Sequence, residues 1–309
     1  MAYRLSVTLL GLALCLASQA FALEYKMVPG AGGVPLNTVE AGDKTKPAIL
    51  LVHGFAQSHS SFKKQLESAD LTRDYHLVAF DLRGHGNSGK PWKPEDYKDS
   101  KIWADDVAAV MDATGIQKAV VVGWSYGGFV LANYVEHYGT GRILGLNLAG
   151  SAAGLVIPPF PAPPPNADPE IAKQRMATAK QQISGNIEEN LLGAQGGIAF
   201  LTNGPGDETW QSISRAGSLL LLPYVRAALQ GRSLDNTKVM PMLATLPVLV
   251  TYGSADGVIG PVQLDGLKKG LKNATYSVYD GAGHSTFYEA GERFNKELSA
   301  FAKSVQPKK

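Results

Sequence analysis

Cysteine is all but missing from this chain. One occurs in 309 residues, and that one, Cys15, lies in an apolar stretch near the start. A chain cut after Ala22 would hold none, which excludes disulfides, zinc-thiolate sites and a cysteine nucleophile. Charge of one sign is also lacking: 29 Lys and Arg against 27 Asp and Glu leave a formal +2, and removing Arg4 with the leader lowers it to about +1. No basic cluster stands out, so no nucleic-acid partner is expected. A run of bilayer length is missing as well. Leu5 to Ala17, after Arg4 and before the small-x-small pattern Ala20-Phe21-Ala22, matches a cleaved export signal at residues 1–22 rather than a membrane anchor. A periplasmic or secreted protein of 287 residues is the expectation. No repeat, metal cluster or dinucleotide fingerprint is visible, and no cofactor is expected; Gly30 to Gly33 precedes a strand pattern rather than a helix, so the phosphate-cradle reading fails.

What is present is organised around Val122-Gly-Trp-Ser-Tyr-Gly-Gly128. The apolar, β-branched run Ala119 to Val122 suits a strand buried on both faces, and Phe129 to Val135 has helical spacing. Between them, Ser125 has glycine two residues to either side, the G-x-S-x-G pattern of a nucleophile elbow. Side chains at 123 and 127 would collide in so sharp a turn. The turn lifts the hydroxyl over the positive end of the following helix, where developing negative charge is favoured.

Along the chain, Glu24–Val28 and Val34–Glu40 read as a hairpin, Ala48–Val52 and His76–Phe80 as buried strands, and Ser60–Leu71 and 100–113 as helices. Strand 118–124, helix 126–138 and strand 143–148 follow. Strands alternating with helices at this rhythm predict an α/β fold, a mostly parallel sheet with helices on both faces. The rhythm breaks at Ile157 to Pro165, which holds six of the 18 prolines and reads as an extended linker. Asp168-Pro169-Glu170 is a helix start, and 168–183, 186–201 and 207–230 read as helices. Strand 246–252, helix 260–272, strand 275–279 and a helix from 285 to 304 close the chain. Residues 153–242 are therefore expected to be a helical cap inserted into a core of 23–152 and 243–309, roofing the edge where strand ends gather.

Two further loops should open on the edge that carries Ser125. Asp256 lies in Gly253-Ser-Ala-Asp, just past one strand, and His284 in Gly281-Ala-Gly-His, just past the last. The order Ser, Asp, His is the one α/β-hydrolases use. With His-Gly-Phe at 53 and Asp-Leu-Arg-Gly-His-Gly-Asn-Ser-Gly at 81, the chain resembles the α/β-hydrolase superfamily over residues 24–305. It is similar to the capped branch containing esterases, cofactor-free haloperoxidases and epoxide hydrolases. That resemblance implies the α/β-hydrolase fold, Ser125 as nucleophile, His284 as general base and then acid, and Asp256 holding the imidazole. It also places the oxyanion donors on the backbone N–H groups of Tyr126 and Phe55, with Trp124 and His53 as candidate pocket residues.

Among rival groups, Asp280 is read as bracing the His284 loop. His53 and His85 are read as turn residues, His59, His76 and His137 as surface or helix residues, and Asp81 and Arg83 as a pair fixing their own loop. Epoxide hydrolases of this fold carry aspartate at the elbow; serine here points instead to acyl transfer on a small-molecule ester. Met176, Leu191, Leu192, Phe200, Trp210, Leu219 to Leu222 and Tyr224 are candidate roof residues, and an apolar pocket would take a small or medium acyl group. One alternative keeps the site but uses hydrogen peroxide as acceptor, giving perhydrolase or haloperoxidase behaviour. Another is a ligand-binding homologue with slow turnover.

Overall fold

A computed structural model describes residues 22–159 and 169–307. The export-signal reading of residues 1–22, with Arg4 and Cys15, lies outside them except for Ala22; so do Asp168 and most of the proline run. The strands are β1 (Glu24–Pro29), β2 (Pro35–Gly42), β3 (Ala48–Val52), β4 (His76–Phe80), β5 (Ala119–Trp124), β6 (Ile143–Ala149), β7 (Val248–Gly253) and β8 (Thr275–Tyr279). They form one sheet in the order β1-β2-β4-β3-β5-β6-β7-β8. β1 and β2 are the expected hairpin, β2 runs antiparallel to β4, and every pairing from β4 to β8 is parallel.

The apolar strands β3, β4 and β5 are buried along their whole length because helices cover both faces. Side chains two apart share a face. Leu50, Val52, Val78, Phe80 and Val121 join the core under helices Ser100–Ala113 and Tyr126–Tyr138, which contribute Val107, Met111, Val130 and Leu131. Ile49, Leu51, Leu77, Val120 and Val122 join the opposite core, closed by Phe294, Leu298 and Ala302 of the last helix, Gly291–Ser304.

Three expected helices are broken. The 60–71 stretch divides into a 3-10 turn His59–Phe62, a short helix Lys63–Leu66 and a helix Ala69–Asp74, whose start is capped by the Ser68 hydroxyl. The 207–230 stretch stops at Leu220 and restarts at Pro223, whose ring suits a first helical position. The closing helix divides at Ala290 into Thr286–Glu289 and Gly291–Ser304. Between β6 and β7 the described chain holds the helices Pro169–Gln182, Ile187–Gly197, Glu208–Leu220 and Pro223–Gln230, and a short turn of helix Met240–Leu243. Among the described residues no helix is long and apolar enough to cross a membrane.

Parallel register decides where the loops emerge. Val52 pairs with Gly123, Trp124 with Ala149, Ala149 with Thr251, and Gly253 with Tyr279. The C-terminal ends of β3, β5, β6, β7 and β8 therefore share one edge, and the loops carrying Phe55, Ser125, Gly150, Asp256 and His284 all leave from it.

Candidate active site

Ser125 connects β5 to the helix Tyr126–Tyr138 with φ 49° and ψ −114°. A non-glycine residue held there stores about 1–3 kcal/mol of backbone strain, and its neighbours explain why it persists. Its N–H donates to the Ala149 carbonyl at 3.0 Å, and the Ser151 hydroxyl donates to its carbonyl at 2.7 Å. Gly127 must lack a side chain, because a Cβ there would lie 2.1 Å from the Val52 carbonyl oxygen. The elbow is thus clamped between the ends of β3 and β6.

The acid and base loops interlock beside it. Ala255 N–H donates to the Ala282 carbonyl at 2.9 Å and Ser254 N–H to the Tyr279 carbonyl at 3.0 Å. His284 Nδ1 lies 2.9 and 3.1 Å from the two oxygens of Asp256. The backbone N–H groups of Val258 and Ile259 donate to the same carboxylate at 2.7 and 3.2 Å. A carboxylate so held keeps the proton on Nδ1 and leaves Nε2 as the basic nitrogen. Gly150, the residue after Ala149, closes the arrangement: a Cβ on it would sit 3.0 Å from His284 Nδ1 and 3.2 Å from Asp256 Oδ2. One turn therefore abuts both the serine elbow and the acid–base pair. Asp280 is exposed and accepts from the Ser254 hydroxyl at 3.2 Å, as a brace for this loop would.

Tyr126 is the first residue of its helix, so its N–H has no acceptor within the helix. Among the described residues neither this N–H nor that of Phe55 has a hydrogen-bond partner. Around Ser125, the side chains of Phe129, Ala152, Pro159, Val258 and Ile259 enclose a narrow slot of about 10 Å³.

The two candidate pocket residues stand behind the site rather than on its wall. His53 is wholly buried; its Nδ1 meets the Gly54 carbonyl at 2.8 Å and its Nε2 accepts from Leu82 N–H at 2.9 Å. Burial pushes its imidazole down to about 4, so it is a neutral strut for the His-Gly-Phe turn. Trp124, equally buried, donates from Nε1 to the His284 carbonyl at 3.1 Å and packs on Phe287. It positions the base loop from beneath.

Other expectations need correction. Asp81 and Arg83 do not pair with each other. Arg83 forks onto Asp106 at 2.6 and 2.7 Å, while Asp81 takes hydrogen bonds from His59, Asn37 and Asn87. His59 opens the 3-10 turn His59–Phe62, buried against Asp81, while His76 is neither superficial nor helical but buried at the start of β4, paired with Glu40. Met176, Leu191 and Leu192 point to solvent, since their helices pack mainly on each other, and Phe200, in the turn after the helix Ile187–Gly197, is half exposed as well. Trp210 turns inward, 4.4 Å from the ring of Tyr288.

Sequence reading overlooked two arginines. Arg226, on the helix Pro223–Gln230, is buried over the ring of Phe55 with its Cζ 5.3 Å from the centroid. Arg232 lies over Trp103 and Tyr126 and donates to the Tyr126 hydroxyl. Neither is paired with a carboxylate among the described residues. Burial lowers the Arg226 guanidinium to about 10, still charged at neutral pH. Two cations thus stand behind the two residues whose N–H groups are free. The nearest signal in the sequence was a pair of arginines in a segment otherwise poor in charge.

Known proteins share this fold. The family model described as alpha/beta hydrolase fold matches residues 47–291. A bifunctional esterase/perhydrolase of Acinetobacter calcoaceticus is 28% identical over 282 residues, covering 88% of this chain and 97% of the relative. A non-heme chloroperoxidase of Kitasatospora aureofaciens is 27% identical, covering 82% of this chain and 91% of its own. Among solved structures, an esterase of Rhodococcus sp. ECU1013 superposes with a TM-score of 0.76 at 28% identity, covering 91% of this chain and 99% of its own.

Proposed function

Because the chain belongs to the alpha/beta hydrolase fold family, we propose that this hydrolase cleaves carboxylic esters through an acyl-enzyme on Ser125, with His284 as base and Asp256 as its partner. The observation that carries the reading is the buried Asp256–His284 pair abutting the same Gly150 turn that clamps the Ser125 elbow. The chemistry follows from the parts. His284 Nε2 takes the serine proton as Oγ attacks the ester carbonyl, and the N–H groups of Phe55 and Tyr126 receive the oxyanion. The imidazolium, steadied by Asp256, then protonates the leaving alkoxide. Water repeats the sequence on the acyl-enzyme.

The apolar side chains of Phe129, Ala152, Val258 and Ile259 beside Ser125 support an uncharged acyl group of small to medium length. Residues 153–242 act as a cap over the strand edge, and residues 1–22 direct export before removal. Hydrogen peroxide as acceptor is a second reading, favoured by the likeness to a bifunctional esterase/perhydrolase along 97% of that protein.

An ester panel of graded acyl length, run on wild type and on Ser125→Ala, tests the proposal. Hydrolysis should be fastest on acetate and propionate esters and fall at least about a thousandfold in the variant. A variant as active as wild type on every ester would sink the assignment of the nucleophile. Peracid yield from one acyl donor, set beside its hydrolysis rate, decides the acceptor.

A further inference from the structure

A second Ser-His-Asp array lies outside the site just described. Ser60 Oγ is 3.3 Å from His59 Nε2, and His59 Nδ1 is 2.8 Å from Asp81 Oδ1. Asp81 is wholly buried, and besides His59 Nδ1 it accepts from His59 N–H at 2.7 Å, Asn37 Nδ2 at 2.9 Å and Asn87 N–H at 2.8 Å. Burial alone would raise its pKa, but those hydrogen bonds, His59 foremost, hold it well below the usual carboxylate range. A carboxylate that close to Nδ1 fixes the proton there, so Nε2 presents its lone pair to the Ser60 hydroxyl. The ring of Tyr25 stands edge-on to the imidazole at 5.8 Å and helps hold its plane.

The hydroxyl does not face a packed core. His59 and Ser60 line an open groove of about 520 Å³ with Tyr25, Leu66 and Ile213 on one wall and Lys63, Glu67 and Glu208 on its rim. We propose that Ser60 is a second acyl-accepting serine, activated by His59 and Asp81, which takes an acyl group from small aryl esters bound against the apolar wall of this groove.

The step balances without any further reagent. Ser60 Oγ attacks the ester carbonyl carbon while His59 Nε2 takes the hydroxyl proton. The carbonyl–aryloxide bond then breaks, the proton passes from His59 to the departing oxygen, and a phenol leaves behind Ser60 as a carboxylic ester. The charge available to the oxyanion is the Lys63 ammonium, one turn further along and shared with Glu67. A single mobile cation stabilises an oxyanion less well than two fixed N–H donors. Acylation is therefore slow and stoichiometric, and invisible in turnover beside Ser125.

The test uses the full chain carrying Ser125→Ala, p-nitrophenyl acetate as acyl donor, and peptide mass mapping, which reads Ser60 directly whatever Ser125 does. The expected result is an acetyl group on Ser60, absent from Ser125→Ala/Ser60→Ala. It should form about a hundredfold more slowly in Ser125→Ala/His59→Gln, the usual worth of a positioned general base. No acetyl group on Ser60, or an unchanged rate without His59, overturns the proposal. Should the His59 variant fail to fold, the pH profile of Ser60 acetylation in Ser125→Ala decides. A rate that rises and then levels supports the array; a rate that keeps climbing with hydroxide to about pH 9 overturns it.

Discussion

The Asp256 carboxylate meets His284 Nδ1 through both of its oxygens, at 3.1 and 2.9 Å, in a place where neither side chain reaches solvent. The Val258 and Ile259 N–H groups fix that carboxylate from the other side. Both sets of bonds demand an acceptor. In Asp256→Asn the amide could satisfy the backbone donors with its oxygen only by turning its NH₂ toward Nδ1, which forces the proton onto Nε2. The base is then in the wrong tautomer. The expected outcome is a fall of about 10⁴ in kcat with KM changed by less than about threefold, by analogy with the same substitution in other triads. Steady-state kinetics on a short-chain ester check it, and a variant within tenfold of wild type would remove Asp256 from the mechanism.

Arg226 offers a prediction in which activity and stability part company. Its guanidinium is buried, donates to the Ser218 carbonyl at 2.9 Å and leaves Nε without a partner. Burying a cation so poorly satisfied costs stability, yet its charge stands behind Phe55, whose N–H is proposed to receive the oxyanion. Arg226→Met keeps most of the volume and removes the charge. The melting temperature should hold or rise, while kcat falls about tenfold, about 1.4 kcal/mol of transition-state stabilisation. Thermal denaturation and kinetics on one preparation read both; a variant that melts earlier with unchanged kcat contradicts the argument.

The sheet and the elbow were legible because their signals are local. Val120 and Val122 alternate with Val121 between two cores, and Gly127 sits where a Cβ would strike the Val52 carbonyl. Asp256 and His284 were legible by position, since a parallel sheet delivers the loops after β7 and β8 to the edge that carries Ser125. Partners chosen by tertiary packing were not. Nothing near Arg83 in the sequence indicates that it will fork onto Asp106, or that Asp81 will turn to His59. Which of the candidate roof residues face inward was not legible for the same reason. An apolar residue such as Leu192 or Phe200 reveals its direction only once the neighbouring helix is known, and both proved exposed. The interruption before Pro223 was within reach of sequence reading, because that proline suits a helix start better than a helix interior.

Gly253 ties the acid loop to the base loop. A Cβ there would lie 2.1 Å from the Ala282 carbonyl oxygen and 2.2 Å from that of Gly283, both backbone atoms in the approach to His284. Gly253→Ala must therefore push the base away from its place. The expected cost is at the top of the usual 1–3 kcal/mol for overpacking, with kcat reduced by about a hundredfold or more. Gly257, four residues on in the same loop, has nothing within 4 Å of its Cβ position. Gly257→Ala should change stability by less than about 0.5 kcal/mol. Equal effects from the two alanines, measured by urea denaturation and ester hydrolysis, would show that close packing of the loops does not position the base.

Acid stability should be set by two histidines that never act as bases. Burial holds His53 down to about 4 and His85 down to about 3, against 6.5 for a free imidazole. In the folded protein both stay neutral as the pH falls below 6.5, while in the unfolded chain both take up a proton. The unfolded state then binds more protons, so stability is complete above about pH 6.5 and declines as the pH drops toward 4 and 3. Each histidine contributes at most about 1.4 kcal/mol per pH unit, about 2.7 for the pair. The carboxylates held low in the fold, Asp81 and Glu40, add their own loss only once the pH nears their unfolded values of 3.8 and 4.5. The interval from 6.5 to 4.5 therefore belongs to the imidazoles. Urea midpoints taken across it should fall steadily, and neither the His53 nor the His85 ring resonances should reach a titration midpoint there. A flat midpoint, or either ring titrating near 6.5, would mean that these buried imidazoles are not held neutral by the fold.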